Sequence, residues 1–180
     1  GASHCRLQDI IITAGRADGV TGEGASGGAM INRDVHDLQL TNCALQDSTA
    51  SDRGGAMYNI RSQLIMERCR LIGNSADAGG GMYNDDSFIE LSQCLFSQNH
   101  ASSGGAIYND DTEMSISDSS FEDNSADNGG AIFNVLSSPV ISSCSFTANT
   151  AEDNGGAIYN MISDPTVEHC SFEDNQAQRG

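Results

Sequence analysis

Six times along its 180 residues, at intervals of 25 to 27, the chain repeats one hexapeptide. The copies are GGAMIN (27–32), GGAMYN (54–59), GGGMYN (79–84), GGAIYN (104–109), GGAIFN (129–134) and GGAIYN (155–160). A second phrase keeps step with the first: CALQDSTA from Cys43, CRLIGNSA from Cys69, CLFSQNHA from Cys94, SSFEDNSA from Ser119, CSFTANTA from Cys144 and CSFEDNQA from Cys170. A fixed period of this size means a stack of near-identical units, each touching mainly its neighbours.

Within each unit, three short stretches alternate apolar and polar with a period of two, the mark of half-buried strands. The first carries pairs such as Leu64/Met66 and Met114/Ile116, the second Cys69/Leu71 and Cys94/Phe96, and the third is the hexapeptide itself. Between them fall Asn, Asp, Ser and Gly, which favour turns. No segment carries a helical period, and paired glycines would weaken a helix. The expected fold is therefore all-β: a right-handed parallel β-helix, a solenoid of about 25 residues and three short strands per coil, with about seven coils.

In such a solenoid every residue stacks on its equivalents above and below. The glycine pair supplies a tight corner, and Asn74, Asn99, Asn124, Asn149 and Asn175 read as a ladder of turn amides. Cys43, Cys69, Cys94, Cys144 and Cys170 share an inward position with Leu71 and Phe96. They read as buried free thiols, and CRLQD from Cys5 matches CALQD from Cys43 as a sixth member. Residues 1–180 read as a single β-helix domain, with residues 14–26 (AGRADGVTGEGAS) breaking the period as an inserted lateral loop or cap. Gln178-Arg179-Gly180 resembles Asp52-Arg53-Gly54, so the chain reads as a fragment of a longer array.

The repeats carry a resemblance. GGAI (104–107) alternating with FxxN (Phe96 to Asn99) is similar to the repeats of chlamydial polymorphic outer-membrane proteins. The fuller C-x-F-x-x-N-x-A…GGAIYN form also resembles repeats of large surface-anchored bacterial proteins. The resemblance implies an extracellular or cell-surface location and an adhesin-like passenger or stalk. It carries over no catalytic residue.

Charge narrows the partners. The net charge is −17, and all eight basic residues are Arg. Nucleic acid needs a basic face, and anionic membrane surfaces are equally disfavoured. No apolar run is long enough for a membrane span. Carbohydrate, a surface protein, end-to-end self-association or a divalent cation remain. The paired corners Asp85-Asp86 and Asp110-Asp111 read either as solvated turns or as a calcium site, calcium being tolerant of loose oxygen geometry. The column Tyr58, Tyr83, Tyr108, Phe133 and Tyr159 alternates with an equally apolar Met57, Met82, Ile107, Ile132 and Ile158 series. With the Met/Ile series inside, the aromatics form an exposed stripe able to bind a sugar or a protein; with the aromatics inside, they are core. The expectation is the former.

The leading functional expectation is a noncatalytic structural or adhesive segment. The first alternative is a polysaccharide-degrading lyase or glycoside hydrolase of β-helix fold. Against it, a lyase needs a basic group to take a proton and balance uronate charge, and the acidic surface would repel such substrates. The second alternative is a self-assembling filament subunit joined through exposed strand edges.

Overall fold

Alternation sets the strands and decides what they bury. In Gln63–Glu67, Leu64 and Met66 are fully buried while Gln63, Ile65 and Glu67 face partly outward. Arg70–Ile72 buries Leu71 in the same way, and Met82–Asp85 buries Met82. The computed structural model describes residues 5–19 and 25–179. Among these, the same three strands recur coil after coil and build two seven-stranded sheets and one six-stranded sheet. Equivalents pair in parallel and in register: Leu64 with Ile89 and Met114, Leu71 with Phe96 and Phe121, Tyr58 with Tyr83 and Tyr108. The described residues thus form three strands in each of six coils and the first two strands of a seventh, the expected parallel solenoid. A fourth, minor contact line also appears where only a turn was expected. Arg16–Ala17 pairs with Thr49–Ala50 and Ser125–Asn128 with Thr150–Asn154, linked through bridges at Ser75 and His100.

The lumen is filled by one continuous apolar cluster. Within it Phe96, Phe121 and Phe146 stack nearly parallel, and the half-exposed Phe172 continues the stack, with centroids 4.8 to 5.0 Å apart, which is the spacing between hydrogen-bonded strands. Cys43, Cys69, Cys94 and Cys144 are buried free thiols, with Ser119 filling the gap in their column. Cys5 departs from the sequence reading. It pairs with Leu38 in the first sheet and is exposed, while Ile10 lies beside the start of the thiol column, its carbonyl accepting from the Ala44 amide. The local match of CRLQD to CALQD needs an offset of 38 residues, whereas the pairing runs at 33 throughout Cys5 to Ala17, which puts Ile10 and not Cys5 level with Cys43. Arg6 pairs with Gln39, an offset of 33 residues, and Ala17 still pairs with Ala50 at that offset. Met30 pairs with Met57 at an offset of 27, so six extra residues fall between Ala17 and Met30. Residues 20–24 of the expected 14–26 insertion lie outside the described residues.

Two buried amide ladders tie the coils together. Asn74 Nδ2 donates to Leu45 O (3.0 Å) and Asn99 Oδ1 (2.9 Å), and its backbone N–H donates to the same Oδ1 (3.0 Å). Asn99, Asn124 and Asn149 repeat the pattern. A second ladder runs Asn32, Asn59, Asn84, Asn109, Asn134 and Asn160, each Nδ2 donating to the next Oδ1 at 2.7 to 2.8 Å or, once, 2.9 Å. Among the described residues no buried side-chain polar atom lacks a partner, as low-dielectric interiors require.

Tight corners complete each coil. Gly104 has φ +62°, and a Cβ on Gly105 would lie 2.2 Å from the Gly130 carbonyl oxygen, so the glycine pair is dictated twice over. The other corners also use left-handed backbone, with glycine only at Gly73 among the described residues. Between the third sheet and the next coil's first strand stand Asp34, Arg61, Asp86, Asp111, Leu136 and Ile162, all with φ between 45° and 54°.

Candidate functional surface

The expected site residues gather around this last corner and the third sheet. Met57, Met82, Ile107 and Ile132 line the lumen, as expected. The aromatic column therefore points outward, but it is not the exposed stripe expected. Tyr58, Tyr83 and Phe133 are only 6%, 4% and 6% accessible. The reason is the coil spacing. Tyr83 and Tyr108 stack with centroids 4.7 Å apart and planes 7° from parallel, and Phe133 and Tyr159 at 5.1 Å and 16°. Tyr58 meets Tyr83 edge-on and Phe133 is tilted 52° to Tyr108, so neighbouring rings cover one another by mixed stacked and edge contacts, and the inner rings offer little free face to a ligand.

Arg53, legible in the sequence only as one of several clustered arginines, covers the Tyr58–Tyr83 part of the column. Its guanidinium lies 4.9 Å from the Tyr83 ring centroid and 5.9 Å from that of Tyr58, and it donates to the Tyr58 hydroxyl at 3.1 Å. Ile60 and Ala78 pack against the same rings. Burial pushes the phenols of Tyr83 and Tyr108 above their ordinary range, with Asp110 adding to the shift, so both stay protonated donors. The Tyr58 hydroxyl reaches Asp85 Oδ2 (3.4 Å) and the Tyr83 hydroxyl reaches Asp110 Oδ2 (3.3 Å).

Those contacts divide the four aspartates expected to gather as a calcium site. Asp85 and Asp110, register partners in the third sheet, are half-buried and engaged by tyrosine hydroxyls. Asp86 and Asp111, one residue on, occupy the left-handed corner and are exposed. Among the described residues no three His, Cys, Asp or Glu side chains are grouped to hold a metal ion. The four carboxylates share a corner but do not converge.

Asp86 and Asp111 instead line a shallow open groove of about 830 Å³ running across several coils. Arg61, Ser62, Phe88, Glu113 and Leu136 line it too. Arg61 is clasped by Asp34 through two hydrogen bonds, at 2.8 and 3.0 Å, and this bond holds the Asp34 carboxyl below the ordinary carboxylate range. The repeat alignment held the signal for this groove's lower end. After the hexapeptide the chain reads DD twice, at 85–86 and 110–111, then VL at 135–136 and MI at 161–162.

One further pairing invites a catalytic reading. His100 Nδ1 lies 3.0 Å from Ser125 Oγ on the minor contact line. Both are accessible, and His100 has no carboxylate partner among the described residues, so the third member of a nucleophilic triad is missing.

Comparison with known proteins returns one relationship. A family described as a right handed beta helix region matches residues 79–180, more than half of the chain. No curated protein and no solved structure matches. The matched segment spans the amide ladders from Asn84 and Asn99 onward, the phenylalanine stack and four of the glycine corners described above. The chain belongs to the right-handed β-helix family.

Proposed function

We propose that the chain is a noncatalytic structural segment of a larger extracellular or cell-surface protein, a rigid stalk that also offers an adhesive face. The observation that carries this reading is the continuity of its two buried asparagine ladders through the coils. Such ladders resist bending because each amide is satisfied only by its neighbour's position. Catalysis needs positions that differ from their neighbours and converge, whereas here equivalent residues recur in columns. The resemblance of the GGAI and FxxN repeats to surface-protein repeats supports the location. Carbohydrate or another surface protein is the partner class, and end-to-end association through strand edges is compatible with the same role.

The test is a turnover screen against acidic and neutral polysaccharides, with product detection by reducing-end and unsaturation assays. No turnover is expected. A defined cleavage that disappears on substitution of His100 or Glu113 would overturn the proposal in favour of a lyase or glycoside hydrolase.

A further inference from the structure

The left-handed corner beside the groove changes character halfway down. Asp34, Arg61, Asp86 and Asp111 are followed in the same column by Leu136 and Ile162, which are 54% and 78% exposed. Leu136 stands between Asp111 and Ile162, so its exposure comes from its direction and not from an uncovered end, whereas Ile162 follows the terminal strand of its sheet and owes part of its exposure to that position. Val140 adds a further exposed aliphatic, 49% accessible. Left-handed backbone disfavours side chains, branched ones most of all; Asp, used in the two coils above, is the easier choice. Folding stability therefore gives no reason for aliphatics here. Residues that are both strained and exposed recur where a surface has been kept for binding.

The groove supplies the chemistry of the partner. Arg61 is clasped by Asp34 and acts on Asp86 only at longer range, and none of the Asp86, Asp111 and Glu113 carboxylates makes a close ion pair among the described residues. From the Asp86 level to the Ile162 level is three coil steps, roughly 14 Å, the length of about four extended residues. We infer that this corner docks an extended segment of another protein. Its Lys or Arg side chains face Asp86, Asp111 and Glu113, and its aliphatic side chains cover Leu136, Val140 and Ile162. Acidic sugars are repelled by the carboxylates, and the aromatic faces a sugar would stack on are already used within the tyrosine column. Charge complementarity sets the encounter, and the aliphatic end holds the complex. This inference deepens the adhesive part of the proposed function and rests on that noncatalytic reading.

The test uses the whole chain and a fluorescein-labelled peptide with a block of Lys followed by a block of Leu, matching the acidic and then aliphatic order of the corner, read by anisotropy against salt concentration. Binding that weakens as salt rises is expected. The double change Leu136→Gly and Ile162→Gly should weaken binding at least tenfold while raising the thermal midpoint, since glycine relieves the strained backbone. Asp86→Asn with Asp111→Asn should weaken binding at least fivefold and flatten the salt dependence. Glu122→Gln with Asp123→Asn, at a different corner, should leave it unchanged. Unchanged affinity in the glycine variant, an equal loss in both acid-pair variants, or preferential binding of an oligosaccharide would each overturn the inference. Any of these results, obtained without polysaccharide turnover, leaves the noncatalytic reading standing, whereas turnover strikes that reading itself.

Discussion

Replacing Asn99 by alanine separates the two forces that hold the coils together. Asn99 is wholly buried. Its Oδ1 accepts both the backbone N–H and the side-chain amide of Asn74, and its own amide donates to Leu71 O and Asn124 Oδ1. Asn124 Oδ1 keeps the Asn99 backbone N–H as a donor after the change, so the acceptor side is only thinned. The donor side is not. The Asn74 backbone N–H and one hydrogen of its amide lose their acceptor in a site closed to solvent. At about 1–3 kcal/mol for each orphaned buried group, the loss is about 2–6 kcal/mol. A domain of ordinary stability, about 5–15 kcal/mol, would survive this but visibly. A water entering the vacated volume would move the result to the lower end. Urea unfolding followed by far-ultraviolet circular dichroism measures the loss. Hydrogen exchange at the Asn74 amide should quicken with it. Asn175→Ala is the internal control: the orphaned groups on Asn149 lie only one coil from the half-exposed Asn175, and the cost should be clearly smaller. Equal losses at the two sites, or a loss at Asn99 under about 1 kcal/mol, would refute the ladder argument and leave the phenylalanine stack as the main tie.

Three further outcomes follow from the same geometry. Gly105→Ala drives a Cβ into the backbone of the next coil, 2.2 Å from Gly130 O and 2.6 Å from Ser125 O, and should cost about 3 kcal/mol or more in urea unfolding. Gly73→Ala, whose Cβ meets only the tip of the Asp47 carboxylate, should cost about 1 kcal/mol from its positive φ alone. Burial pushes the Cys144 thiol up to about 11, above its value in the unfolded chain. The folded state therefore holds this proton longer, and stability present at neutral pH should fall as pH rises from about 8.5 towards 11. Thermal midpoints across that range measure the fall, while a thiol reagent at pH 8 should modify the exposed Cys5 and spare Cys43, Cys69, Cys94 and Cys144. Calcium should not shift the thermal midpoint, since the Asp85, Asp86, Asp110 and Asp111 carboxylates do not converge. A site filled a hundredfold over its Kd would add about 2.7 kcal/mol and be plain in the same assay.

What could be read from the residues was whatever the repeat multiplies. A column of six similar side chains announces its own direction, so the lumen residues Leu64, Leu71 and Phe96 and the Asn74 to Asn175 ladder were legible. The failures come from geometry that alternation does not encode. Period-two logic has only an inside and an outside, and it equates outside with exposed. It could not show that outward rings repeating every strand spacing would cover one another, as Tyr83 and Tyr108 do. Nor does it distinguish two neighbouring aspartates when one is extended and the next is left-handed, which sends Asp85 to a tyrosine hydroxyl and Asp86 to the groove. Cys5 failed for a third reason. Local similarity does not count residues: CRLQD resembles a second-strand phrase but stands five residues too early, on the first strand, where Cys5 pairs with Leu38.

The place to seek specificity follows from that contrast. In a solenoid whose coils are nearly interchangeable, a column of identical residues is explained by stacking alone, because each copy is selected by the copies beside it. Function is then carried by the columns that change, provided the change works against stability. Ser119 in the thiol column fails this condition: its hydroxyl donates to Ser117 O and accepts from the Cys94 N–H, so it packs as well as the thiol it replaces. Arg53 fails it as well, since it covers aromatic rings that would otherwise be open. Leu136 and Ile162 meet it, because aspartate fits the same corner at lower strain and without exposing apolar surface. Packing accounts for Ser119 and Arg53 but not for Leu136, which lies at the end of the groove beside carboxylates that make no close ion pair among the described residues.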